Sequence, residues 1–183
     1  MIAKVDTILI GGAMAYTFLE ARGVATGKSL VEDEKLRVAA ELEAQAKRNR
    51  VAFVLPIDHV VADGPEEGAT SIVVAEIPAR KMGLDIGPRT VAEFVAHIKA
   101  AKTIVWNGPL GYFELPAFAE GTLKVGEAVA LSGATSLLGG GDTEAAVAKA
   151  PWVSRFTHIS TGGGATLEYL EGRELPGVQA LEQ

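Results

Sequence analysis

Four glycine-bearing stretches carry most of the residues in this 183-residue chain that could do chemistry. They read ILIGGAMAY (8–16), IVWNGPLGYFE (104–114), SLLGGGDTEAAV (136–147) and HISTGGGATLEYL (158–170). In each, an apolar run of strand length gives way to glycines, and in three of them a helical pattern follows at once. Backbone without side chains just ahead of a helix leaves N–H groups that nothing within the helix satisfies, and these suit phosphate oxygens. Glycines in any single loop serve equally well as a tight turn. Four loops of one design favour a phosphate or nucleotide crevice.

The side chains in these loops sort by chemistry. Asp142 is either a helix cap, a role that Asp and Thr143 both favour, or a Mg²⁺ ligand. Magnesium takes oxygen donors and is commonly shared between one or two carboxylates and phosphate. Glu114 is placed to accept from ribose hydroxyls or to stand in solvent, and Tyr112 and Phe113 to pack on a base or on the domain itself. None of the four stretches contains lysine or arginine. Phosphoryl transfer needs cations to offset charge on the transferring group, so the loops read as part of a site. Familiar fingerprints fail: Glu144 and Leu167 stand where G-x-G-x-x-G needs its last glycine, which disfavours dinucleotide redox binding. GVATGKS (23–29) is one residue short of a P-loop, with Arg22 in the first glycine's place, and it follows a helix. Lys28 then reads as an ordinary loop lysine.

Alternating elements position these loops. Strand patterns at 6–12, 102–108, 135–141 and 157–163 are followed by helical ones at 13–22, 117–131, 142–150 and 165–172. A strongly amphipathic helix spans 32–48, with a stripe of Leu36, Ala39, Ala40 and Leu42 to Glu43. Residues 51–61 read as a strand broken by Pro56, 70–77 as a further strand, and 87–101 as a helix started by Pro88 and Thr90. The stretch 62–70 reads as a surface turn. Apolar strands alternating with helices argue for one α/β domain over 1–183: a three-layer, Rossmann-like parallel sheet with helices on both faces. All strand C-termini of such a sheet share one edge, so the four loops are expected on one rim.

Composition limits the alternatives. The net charge of −6 and the absence of a basic stripe argue against nucleic acid. No run reaches the roughly 18 apolar residues of a membrane span, and the N-terminus shows no signal-peptide pattern. Cysteine is absent, which removes disulfides and thiolate metal sites and fits the cytoplasm. His59, His97 and His158 are too far apart in sequence for a paired-histidine zinc motif.

The ordered series LIGGAMAYTFL, GKSLVE, LPIDHVVA, GLDIGPRT, TIVWNGPLGYFE, LLGGGDTEAAV, FTHISTGGGATLEYLEG and LPGVQAL resembles the C-terminal, nucleotide-binding half of phosphoglycerate kinase over essentially the whole chain. The resemblance implies phosphoryl transfer between 1,3-bisphosphoglycerate and MgADP, giving 3-phosphoglycerate and MgATP in glycolysis, with ADP/ATP and Mg²⁺ as ligands. It implies that Gly11 and Gly12 line the adenine face, that Asn107, Pro109 and Tyr112 border the adenosine, and that Glu114 meets the ribose. Gly140, Gly141, Asp142 and Thr143 would hold the distal phosphates and the metal, with Asp142 as its carboxylate. Gly162, Gly163 and Gly164 would offer N–H groups to the transferring phosphoryl. The family usually carries a small apolar residue where Tyr112 stands, and methionine or proline where Leu110 stands. It also carries a basic N-terminal domain that grips phosphoglycerate, and a strand with a lysine-bearing loop just upstream of Val5. Both are expected to be lacking here, leaving the 3-2-1-4-5-6 order without its central strand–helix unit. The chain is then expected to be inactive alone, and either marginal, repaired by rearrangement or pairing, or one piece of a longer or complemented protein. The other readings are a MgADP/MgATP-binding module without catalysis, and a structural or assembly fragment.

Overall fold

The computed structural model describes residues 2–175, so the LPGVQAL stretch lies outside the described residues from position 176 onward. The chain enters β1 (Thr7–Leu9), α1 (Gly12–Ala21) and, after a turn of 3-10 helix, α2 (Leu36–Arg48). It then returns to β2 (Ala52–Val54), parallel to β1 with Thr7 opposite Ala52. The later units are α3 (Pro88–Ala100), β6 (Thr103–Asn107), α4 (Glu120–Leu131), β7 (Thr135–Gly139), α5 (Gly141–Val147), β8 (His158–Ser160) and α6 (Gly163–Glu171). Strands β6, β7 and β8 form a second parallel ladder in that order, with Thr103 opposite Thr135 and Leu137 opposite His158.

The parallel strands therefore stand as two half-sheets, β2-β1 and β6-β7-β8. These correspond to positions 3-2 and 4-5-6 of the expected order. Among the described residues β1 ladders only with β2, and β6 only with β7. One interior unites the halves. Leu9 and Val54 pack against the cluster of Phe94, Ile98, Trp106, Val125, Val129, Leu138, Val147 and Trp152. A second cluster of Tyr16, Phe18, Leu19, Leu55, Val61 and Ile77 fills the other side of β1 and β2.

Two expectations need correction. Pro56 does not interrupt one strand. It ends β2, and the chain re-emerges as β3 (His59–Ala62) in an antiparallel sheet of order β4-β3-β5, with β4 at Ile72–Val74 and β5 at Met82–Ile86. Proline has no N–H to give a ladder and marks the point where the chain changes sheet. The second correction concerns the stripe of α2. Ala39 and Ala46 are its buried residues and Leu36 and Glu43 are half-buried, whereas Ala40 and Leu42 are exposed. The buried line thus runs 36, 39, 43, 46 at helical spacing. Strand β5 alternates Met82, Leu84 and Ile86 with Gly83 and Asp85, two residues that strands disfavour. Tertiary packing requires both: a Cβ at Gly83 would collide with the ring of Tyr16, and the role of Asp85 is given below.

Candidate functional site

The four glycine loops follow β1, β6, β7 and β8, and hydrogen bonds stitch each to the next. Gly12 N–H donates to Leu110 O at 3.1 Å, and Gly140 N–H to Ser160 O at 3.0 Å. Gly108 N–H donates to Thr143 Oγ1 at 2.7 Å, and Asn107 Nδ2 to Gly163 O at 3.1 Å. The 107–110 turn is the hub, touching the first loop on one side and the third and fourth on the other. Two glycines are required by this geometry. Gly140 has φ +96°, a left-handed conformation that a side chain disfavours. Gly12 has φ +65°, and a Cβ there would lie 2.8 Å from Pro109 O.

Gly140 is the residue that caps α5, with no side-chain capping bond. Asp142 is therefore not the cap; it sits at the second helical position, exposed, with no hydrogen bond or ion pair to another described residue. Thr143 is 1% exposed, and its hydroxyl oxygen accepts from Gly108, so it fastens two loops together. The first-turn N–H groups of α5 and α6 lack acceptors within their helices: the first intrahelical bonds are Glu144 N–H to Gly140 O and Thr166 N–H to Gly162 O, both 3.0 Å. Gly141, Gly162 and Gly164 are exposed on this rim, and Asn107, Tyr112 and Glu114 also reach solvent. Gly11 and Pro109 are half-buried.

Among the described residues no group of three or more His, Cys, Asp or Glu is placed to hold a metal ion. One exposed, unpartnered carboxylate, beside N–H groups that suit phosphate oxygens, nonetheless fits Mg²⁺, which keeps waters and phosphate oxygens in its shell and needs few protein ligands. GVATGKS is committed to the fold: Lys28 N–H donates to Lys81 O, and Ser29 Oγ accepts from Gly83 N–H at 2.9 Å. That loop offers no phosphate cradle.

Sequence reasoning missed the residues that brace the rim. Ser160 Oγ and Thr166 Oγ1 share a 2.9 Å hydrogen bond across the fourth loop, and Thr122 Oγ1 accepts from Leu110 N–H at 2.9 Å. Asp85, 1% exposed, accepts from the N–H groups of Ile86 and Gly121, each at 2.8 Å. Burial pushes its carboxyl up to about 7, against the opposing effect of those two donors. Tyr16 is pushed up by burial and, secondarily, by Asp85. His59 is pushed down by burial, with Asp58 opposing, and its Nδ1 has no partner. The spacing of serine, threonine and aspartate carried no signal for these contacts, which join distant segments.

A family model of phosphoglycerate kinase matches residues 1–173. A phosphoglycerate kinase of an Anaeromyxobacter species (strain Fw109-5) is 53% identical over 100% of this chain and 46% of its own length. That of Rubrobacter xylanophilus is 56% identical over 100% and 46%. A solved phosphoglycerate kinase from Coxiella burnetii superposes with a TM-score of 0.92 at 42% identity, covering 97% of this chain and 47% of that one. One from Pyrococcus horikoshii OT3 gives 0.75 at 32% identity, with 97% and 45% covered. The chain spans about half the length of the curated relatives it matches. With the glycine rim, the strand order and these matches in agreement, the chain belongs to the phosphoglycerate kinase family.

Proposed function

We propose that the chain is the nucleotide-binding half of a cytoplasmic phosphoglycerate kinase, taking MgADP or MgATP on the glycine rim. The observation that carries this reading is the set of hydrogen bonds that ties the four loops together: Gly12 to Leu110, Gly108 to Thr143, Asn107 to Gly163 and Gly140 to Ser160. It joins the four loops into one surface. Gly11, Gly12, Asn107, Pro109, Tyr112 and Glu114 form the adenosine side. Gly140, Gly141, Asp142 and Thr143 form the phosphate side, and Gly163 and Gly164 present the N–H groups nearest the transferred phosphoryl, the N–H of Gly162 being held by Ser160 Oγ.

The mechanism on this side is binding and charge stabilisation. The first-turn N–H groups of α5 and α6 orient phosphate oxygens, and their partial positive charge favours the anion. Asp142 would hold Mg²⁺, which when bound screens charge between the distal phosphates. Asn107 and Thr143 hold the loops in register, so the cradle needs little rearrangement on binding. The rim stretches supply no lysine or arginine, so on this reading cations for transfer come from the family's lysine-bearing loop upstream of Val5 and from its N-terminal half, which also makes the contacts to phosphoglycerate. Closure of the two halves around both substrates would exclude water.

Calorimetric titration with MgADP tests the reading. Saturable binding that weakens when Mg²⁺ is chelated is expected. No heat at millimolar nucleotide would sink this function and leave the structural-fragment reading. Transfer is tested by supplying the N-terminal half of a relative and assaying ATP formation from 1,3-bisphosphoglycerate. Binding without restored transfer would leave a nucleotide-binding module.

A further inference from the structure

Asp85 is the one carboxylate of the described residues that is both deeply buried and pushed up to neutrality, and nothing in the proposed mechanism uses it. It sits under the adenosine side of the rim. Its Oδ2 accepts from Gly121 N–H in the first turn of α4, and its Oδ1 from Ile86 N–H. A Cβ at Gly111 or at Gly121 would strike Asp85 Oδ1. Both segments thus approach the carboxylate as closely as backbone can, one from the turn and one from the helix. The neighbouring Leu84 O accepts from Tyr112 N–H at 2.7 Å. Thr122, next to Gly121, accepts from Leu110 N–H, and Leu110 O accepts from Gly12 N–H.

We propose that Asp85 is a positioning residue of the nucleotide site. Its carboxylate, clamped between β5, the 110–112 turn and the first turn of α4, sets where Tyr112, Glu114 and, through Leu110, Gly12 stand. The assignment rests on the nucleotide reading above. The ionised form serves the clamp better, because a carboxylate accepts strongly from two N–H groups, whereas a protonated acid turns one oxygen into a donor facing donors. Other groups near the clamp are accounted for. Glu120 of α4 adds like charge and helps raise Asp85. Burial keeps the Tyr16 phenol of α1 neutral and favours the neutral form of His59 on β3. Asp58 accepts from the N–H groups of Arg89 and Thr90 at the start of α3.

The test uses adenosine, which reaches only the adenosine side and has no phosphate to titrate near neutrality. Its affinity is measured between pH 6 and 8.5 for the wild type and Asp85→Asn, alongside the amide resonances of Ile86, Tyr112 and Gly121. In the wild type, affinity is expected to rise about tenfold with pH, the worth of one charge-assisted hydrogen bond. The three resonances should move together around a midpoint of about 7. Asp85→Asn should bind about tenfold more weakly at high pH and show no pH dependence, the loss being the same charge-assisted bond. A merely structural aspartate would leave affinity level with pH. Resonances that stay still, or a variant whose profile matches the wild type, overturn the assignment. Should the variant not fold, the wild-type affinity profile decides, read together with the resonances: a level profile overturns the assignment. Wild-type protein that ignores millimolar adenosine overturns the nucleotide reading instead, which the resonance titration then distinguishes from failure of the clamp.

Discussion

Single atoms decide most of what the rim can do. Asp142 is free because Gly140 took the cap, so its carboxylate has no structural duty to conflict with a metal. Asp142→Asn is expected to weaken MgADP binding by at least about tenfold while leaving metal-free ADP binding nearly unchanged, since only the cation loses a ligand charge. Equal losses in paired titrations would show that the residue only shapes the loop. Thr143, proposed on the phosphate side, also fastens two loops, its hydroxyl oxygen accepting from Gly108 N–H. Thr143→Val removes the acceptor of Gly108 N–H and should lower stability by about 1–3 kcal/mol in urea unfolding. Asp85 gives a pH signature of its own. Its folded value is raised to about 7, whereas an unfolded carboxyl titrates near ~3.9. Between these the native state holds a proton that the unfolded chain lacks, so this group makes stability fall as pH rises through that window. Unfolding free energies of wild type minus Asp85→Asn should drop by up to about 4 kcal/mol from pH 4 to 8. The contribution of His59 is common to both proteins and cancels. Adenosine affinity is expected to rise over the upper part of the same window, the opposite direction.

At the scale of elements, each rim loop is a strand, a glycine turn and, in three cases, an immediate helix, and the turn conformation is what cannot be changed. Gly140→Ala places a methyl at φ +96°, at a cost of about 1–3 kcal/mol, and its Cβ would also press Asn107 Oδ1 at 3.2 Å. The second and fourth loops should then move with the third, read as shifts of Asn107 and Gly163 amide resonances and a lowered melting temperature. Shifts confined to α5 would show that the loops are independent. These strand–glycine–helix units were legible in the sequence because both halves of each signal are local: an apolar run of strand length, then glycine and a helical pattern. The antiparallel sheet was half legible. Strand β4 has the apolar run Ile72–Val74, but β5 holds Gly83 and Asp85 for the benefit of Tyr16 and α4, segments far away in sequence.

At the scale of the molecule, the parallel strands of the described residues divide into two half-sheets that share a core but no ladder. Strand β7 is paired on both sides, whereas β1 and β6 are each paired on one. Amide exchange should therefore be slowest in β7, at Leu138 (0% exposed) above all, and faster in β1, whose three residues are all half-buried. Equal protection of β1 and β7 would mean that the half-sheets open as one unit. The sequence by itself determined the α/β class, the four glycine loops, the family resemblance and the absence of cations from those loops, because each is written in residue types over a few consecutive positions. Only the tertiary structure decided that the 107–110 turn is the hub, that Thr143 and Asn107 fasten loops, that Asp142 stands free, and that Asp85 lies beneath Gly111 and Gly121. Those facts depend on which distant segments meet. A backbone N–H finds its acceptor by proximity in space, for which spacing along the chain carries no code.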